Sequence, residues 1–301
     1  MPEYVAAIVG PTAVGKTELS LSVAEILDAE IVSVDSMQVY VGMDVGTAKV
    51  TGPERARVPH HLLDLRPPDH ELTVEEFQSL ARSAIAEIVA RGKLPLLVGG
   101  SGLYMRAVVD DLEFPPRSAE VRSSLEADVE ELGAEVLHAR LVELDPAAAA
   151  KIEPGNARRT VRALEVIAIT GRPFSENATW DSYTSIYDLR IAGLTRPRAE
   201  LYARIEGRVD AMLEAGLIEE ARGLSQDLGR TARQALGYKQ ILDAPGASPQ
   251  DIRDEIVRAT KRFARRQESW FRADPRVRWF DLSEVGVDDV AGFLAGSHAL
   301  P

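Results

Sequence analysis

The chain has 301 residues, 45% of them hydrophobic and 27% charged, with a formal net charge of −12 and no cysteine. That length suffices for one large or two modest domains with a buried core, while the missing cysteine excludes disulfides, thiolate nucleophiles and cysteine zinc sites, and five histidines make a poor metal cage. No apolar run approaches the roughly 20 residues that span a bilayer, and the opening MPEYVAAIVGPT has no basic leader segment, so the expectation is a cytoplasmic protein without membrane association.

Neither internal repeats nor low-complexity segments interrupt the chain, and alternating strands and helices account for its first third. The apolar run YVAAIV, Tyr4 to Val9, predicts a buried parallel strand closed by Gly10. A glycine loop follows, then a helix from about Lys16 through Leu27 and a second strand over Glu30 to Asp35. Thr73 and Glu76 have the spacing of a capping box, and Val74, Phe77, Leu80, Ala81, Ala84, Ile85, Ile88 and Val89 recur at helical spacing up to Gly92. LPLLVGG then supplies another buried strand and leads into the loop GGSGLY, Gly99 to Tyr104.

From about Phe114 to Asp188 short helical stretches rich in alanine and charge replace the alternation, which predicts an all-helical insertion. The α/β pattern resumes with DLRIAGLT from Asp188, a helix from about Arg198 through Leu213, and a helix that opens with Ser248 as cap and Pro249 as first residue. VRWFDL is the last strand. The expected fold is therefore an α/β P-loop NTPase-like core, with a parallel sheet flanked by helices, in segments 1–113 and 189–301, and an all-helical insertion over 114–188.

GPTAVGKT, Gly10 to Thr17, carries the first chemistry. Its glycines let backbone N–H groups wrap an anion, the following helix adds its positive dipole end, and Lys16 adds a full charge. Thr17 can hold Mg²⁺ through its hydroxyl. Because the motif sits between a strand and a helix, phosphate binding outweighs a plain turn. Asp35 falls at the carboxyl end of the second strand, the rim where open α/β sheets bind ligands; position alone leaves it either an N-cap or loop carboxylate or a functional one, which could bind Mg²⁺ or take a proton. With Ser36, Met37 and Gln38 it offers acceptors, donors and an apolar plate suited to a nucleobase edge.

Two basic clusters stand out in the acidic chain. NARRTVRALEV places Arg158, Arg159 and Arg162 within two turns of a helix, with Val161, Leu164, Ile167 and Ala168 able to face inward. RATKRFARRQESWFR carries Arg258, Lys261, Arg262, Arg265, Arg266 and Arg272 with only Glu268 opposing, interleaved with Phe263, Trp270 and Phe271. Either cluster alone reads as a solvated face; the pair shifts the reading toward a docked polyanion.

GPTAVGKT, DSMQVYVGMDVGTAK, PHHLLD, GGSGLY, RRTVRALEV, QALGYK and KRFARRQESWFR, in this order from Gly10 to Arg272, resemble the tRNA dimethylallyltransferase family, also called tRNA isopentenyltransferase. Ser101 stands where many members have threonine, and with no zinc finger after the last helix the chain is similar to the compact bacterial form. The resemblance implies transfer of a dimethylallyl group from its diphosphate to N6 of adenosine 37, beside the tRNA anticodon. It implies that Gly10, Pro11, Thr12, Ala13, Val14, Gly15, Lys16 and Thr17 hold the diphosphate with Mg²⁺, that Arg208 is a further contact to it, and that Asp35 takes the amine proton. It implies tRNA contacts from Asp35, Ser36, Met37, Gln38, Ser101, Arg122, Arg158, Arg159, Arg162, Gln234, Gly237, Tyr238 and Lys239, the helical insertion gripping the anticodon stem-loop, and a monomeric enzyme. The alternatives are an isopentenyltransferase acting on free adenylate, a P-loop small-molecule kinase turning over ATP, and a non-catalytic tRNA-binding module.

Overall fold

Every sheet pairing in the computed structural model, which describes residues 2–177 and 182–296, is parallel, in the order β3-β2-β4-β1-β5-β6. In chain order the elements are β1 (Tyr4–Val9), α1 (Lys16–Leu27), β2 (Ala29–Val34), α2 (Gly52–Arg57), β3 (His60–His61), α3 (Val74–Ala90), β4 (Leu94–Gly99) and α4 (Gly102–Val109). After the helices α5 (Ala119–Leu132), α6 (Ala134–Leu144), α7 (Pro146–Ala149) and α8 (Ala157–Thr170) come β5 (Asp188–Thr195), α9 (Arg198–Glu214), α10 (Leu217–Gly223), α11 (Tyr238–Asp243), α12 (Pro249–Arg272), β6 (Val277–Asp281) and α13 (Val287–Ala295).

The chain forms two compact units, Met1–Asp110 with Ser185–Pro301, and Asp111–Thr184. In the first, successive residues of β1 go to opposite faces of the sheet, as a pleated strand requires. Val5, Ala7 and Val9 join Phe77, Ile85 and Ile88 of α3 and Ile252 and Ile256 of α12. Ala6 and Ile8 join Leu21 of α1, Ile205 of α9 and Leu294 of α13. Burial on both faces explains why the strand sequence is continuously apolar. Truncating one such side chain, as in Leu97→Ala, costs about 2–5 kcal/mol. Among the described residues no helix is long and apolar enough to cross a membrane.

The second unit packs α5 to α8 around Leu125, Leu137, Leu141, Ile152, Val161 and Leu164. On α8 Val161 and Leu164 are buried and Ile167 is half-buried, but Ala168 is exposed, so the inward stripe is narrower than its spacing predicts.

Other departures are local. Thr73 Oγ1 accepts from the Glu76 N–H at 3.0 Å, but the reciprocal half of the box is absent: the Glu76 carboxylate is drawn away by Arg66 and His70, each at 2.8 Å. β2 ends at Val34, which leaves Asp35 as the first residue beyond the strand. The short α2 and the edge strand β3 are additions to the expected elements.

Candidate active site

Because all strands run the same way, Val9, Val34 and Gly99 end on one edge of the sheet, and the loops after β1, β2 and β4 become neighbours there. The loop after β1 needs unusual backbone. Gly10 and Gly15 have φ of +149° and +113°, and a Cβ on Gly10 would lie 2.7 Å from the Leu194 carbonyl oxygen. Ala13 is held at φ +64°, a strained value for a residue with a side chain. Its carbonyl accepts from Arg204 Nε, and that of Val14 from Arg196 Nε, each at 2.9 Å. Lys16 Nζ curls back to donate to the carbonyls of Gly10 and Pro11 at 2.8 Å. With the carbonyls occupied, the first N–H groups of α1, which have no partner within the helix, are left for an anion.

Burial, and then the neighbouring Arg208, bring the Lys16 ammonium down to about 7, with Asp35 opposing. Burial likewise lowers Arg208, again opposed by Asp35. Neither cation has an ion pair, and Arg208 makes no hydrogen bond among the described residues. The cavity they share, about 520 Å³, is also lined by Thr12, Thr17, Asp35, Gln38, Arg204, Phe263 and Gln267. Glu18 and Glu54 line it as well, yet Asp35 is the acidic group named as a neighbour of both cations.

Asp35 Oδ1 accepts the Met37 N–H at 2.8 Å, the turn that aspartate favours. Gln38 is fixed at both ends of its amide, with Ser33 Oγ donating to Oε1 at 2.8 Å and Nε2 donating to the Thr47 carbonyl at 3.2 Å. Ser36 and Met37 are half-buried and stand outside the cavity lining, as does Ser101, the N-cap of α4, whose hydroxyl makes no capping bond. Gly102 beside it is required by close packing, since a Cβ there would lie 1.8 Å from Trp270 Cδ1.

Sequence reasoning missed Arg204 and Gln267 among the residues of the cavity. Arg204 stands one helical turn before Arg208 on α9, so the i, i+4 spacing was a usable signal. Gln267 had none: this buried amide of α12 accepts the Thr12 N–H at 2.8 Å and donates to the Gly100 carbonyl at 3.0 Å, tying two loops together.

The remaining candidates are scattered. Gln234 is exposed and accepts from Lys239 Nζ at 3.0 Å, while Gly237, at φ +90°, and Tyr238 are buried. In the helical unit Arg158 and Arg159 are exposed, whereas Arg122 and Arg162 each bind the buried Glu165 at 2.7 Å. On α12 the basic run has more opposition than its own stretch contains: Glu255 pairs with Arg258 and Arg262, and Glu206 of α9 pairs with Lys261. Arg265 and Arg266 are exposed without an ion pair among the described residues.

Among the described residues no cluster of three or more histidine, aspartate or glutamate side chains could cage a metal. The exposed Thr17 hydroxyl and the Asp35 carboxylate, both lining the cavity, are hard oxygen donors. That sparse set fits Mg²⁺, which takes few protein oxygens and completes its shell with phosphate oxygens and water.

A parallel sheet that ends in a glycine loop beside a buried lysine and arginine defines an α/β protein of the P-loop NTPase-like fold. The family model described as IPP transferase matches residues 38–274. The chain is 51% identical to a tRNA dimethylallyltransferase of Thermobifida fusca, over 98% of this chain and 95% of that protein, and 53% identical to one of Streptomyces coelicolor, over 91% and 89%. It superposes on the crystal structure of a tRNA isopentenylpyrophosphate transferase from Bacillus halodurans with a TM-score of 0.72 and 44% identity, covering 98% and 96% of the two chains. A eukaryotic dimethylallyltransferase acting on tRNA gives a TM-score of 0.79 at 27% identity, over 93% of this chain and 74% of that one. The chain belongs to the IPP transferase family, that of the tRNA dimethylallyltransferases.

Proposed function

We propose that the protein transfers a dimethylallyl group from dimethylallyl diphosphate to N6 of adenosine 37 in tRNA, giving N6-isopentenyladenosine and diphosphate, as a cytoplasmic monomer. The observation that carries this reading is the pair Lys16 and Arg208, two cations in one cavity without a counter-charge in ion-pair contact among the described residues, which a bound diphosphate would supply.

In the reaction the N6 lone pair forms the carbon–nitrogen bond, the carbon–oxygen bond to diphosphate breaks, and the amine loses a proton. Negative charge grows on the departing oxygens. N–H groups at the start of α1, Lys16 released from the Gly10 and Pro11 carbonyls, and Arg208 stabilise it in a site already organised for that charge. Mg²⁺ held by the Thr17 hydroxyl and the diphosphate would neutralise further charge there. Asp35 has one oxygen engaged by Met37 and a second with no hydrogen bond among the described residues, and this second oxygen accepts the amine proton.

Adenosine reaches such a site only unstacked. Gln38, Ser36, Met37 and Ser101 would meet the extruded base and its flanks, with Gln234 contributing from the loop before α11 and Lys239 from the first turn of that helix. Gly237, the N-cap, and the buried Tyr238 shape the start of that helix. The exposed Arg158 and Arg159, with Arg122 and Arg162 held by Glu165, give the helical unit its phosphate contacts to the anticodon stem-loop.

Incubation with labelled dimethylallyl diphosphate and, separately, tRNA and free AMP, beside an ATP turnover assay, tests the reading. Label in tRNA alone supports it. Label in AMP alone, or ATP hydrolysis without prenyl transfer, would replace it with one of the alternatives.

A further inference from the structure

We propose that Glu220 is a positioning residue that joins the Asp35–Gln38 segment to the segment Gln234–Lys239; the inference rests on the reading that both segments meet tRNA. Glu220 lies on α10 and does not line the cavity. Its carboxylate accepts three consecutive backbone N–H groups of the loop after β2: Asp44 at 2.9 Å and Val45 at 2.8 Å on one oxygen, Gly46 at 3.0 Å on the other. The second oxygen also accepts from the hydroxyl of Tyr238 at 2.5 Å. A carboxylate has about four acceptor sites, and all are used.

Both ends of this link are rigid. Tyr238 is fully buried, and its ring lies so close to the loop that a Cβ on Gly46 would come within 2.2 Å of Tyr238 Cε2. Burial and Glu220 raise the phenol far above its usual range, so it remains a donor. Directly after the anchored N–H groups, the carbonyl of Thr47 accepts from Gln38 Nε2 at 3.2 Å. The buried ammonium of Lys49 closes the loop by donating to the Tyr40 carbonyl at 2.8 Å and to Asp44 and Asp64 at 2.6 Å. A displacement at Tyr238 therefore reaches the amide of Gln38 through one carboxylate and two residues of backbone.

Glutamine at position 220 keeps the volume but replaces one acceptor oxygen with an NH₂ that faces other donors. The first test is hydrogen exchange of the free protein. Glu220→Gln should speed exchange at residues 44–46 and also at 36–38, with α3 unchanged, and the milder Tyr238→Phe should do the same to a smaller extent. Faster exchange at 44–46 alone would overturn the link to Gln38.

The second test is a double-mutant cycle on prenyl transfer. Glu220→Gln should lower kcat/KM for tRNA by about tenfold while leaving dimethylallyl diphosphate affinity in calorimetry unchanged, and it should add little to Gln38→Ala. Additive effects, or an equal loss of diphosphate affinity, would mean a merely structural role. If the wild-type protein transfers no prenyl group to tRNA, the functional reading fails, and exchange at 36–38 alone decides the link.

Discussion

Lys16 and Arg208 line the same cavity, and among the described residues neither has a carboxylate within ion-pair distance. Asp35 is the acidic neighbour that opposes the shift of both. Keeping two cations half-buried and unpaired costs folding free energy, and the cost is offset when an anion binds.

The lowered Lys16 ammonium makes binding pH-dependent. At about pH 8 the side chain is mostly neutral, and an anion that raises its proton affinity draws a proton from solution; near pH 6 it is already charged. Calorimetry of dimethylallyl diphosphate binding in buffers of different ionisation enthalpy should show proton uptake at the higher pH and almost none at the lower. The sign for stability follows from the same shift. Unfolded lysine titrates near 10.5 and the folded group near 7, so the unfolded chain holds more protons between those values, and the Lys16 contribution to stability improves as pH rises through that window.

Removing either cation should act on the leaving group. Lys16→Ala and Arg208→Ala are each expected to lower kcat/KM by about 10²–10³ and to weaken dimethylallyl diphosphate binding, because a preorganised charge is lost where negative charge develops. Unchanged affinity in calorimetry would show that the diphosphate lies elsewhere.

Binding of tRNA should weaken steeply with salt while dimethylallyl diphosphate binding changes far less. Each exposed arginine that meets a phosphate adds about 0.7–0.9 to the log–log slope. Arg158→Ala and Arg159→Ala should each reduce the slope by that amount with no change in Tm. Arg162→Ala should also lower Tm, since it strips the buried Glu165 of one of its two arginine partners. A flat salt response would mean that these arginines are solvated and nothing more.

What the sequence discloses here follows from how local each signal is. The glycine loop was readable because its backbone demands glycine at Gly10 and Gly15, and α12 because Ser248 and Pro249 are short-range helix starters. Ser248 Oγ does accept the Asp251 N–H, at 3.2 Å. The true balance of α12 was hidden because Glu206 belongs to another helix. Gln267 and Glu220 were invisible for the same reason: their partners lie far away in sequence, and an isolated glutamine or glutamate on an amphipathic helix looks like solvent-facing surface. Arg162 shows the intermediate case, since Glu165 stands three residues on while the second arginine on that carboxylate, Arg122 of α5, lies far away in sequence.

The role of Asp35 decides whether the cavity performs proton transfer as well as binding. The direct measurement is single-turnover prenyl transfer by wild type and Asp35→Ala, with saturating tRNA across a Mg²⁺ titration. A general base predicts a rate lower by about 10²–10⁴, with tRNA affinity changed far less and no recovery at high Mg²⁺. Rescue by Mg²⁺, or a rate within a few-fold of wild type, would contradict the assignment of the amine proton to Asp35.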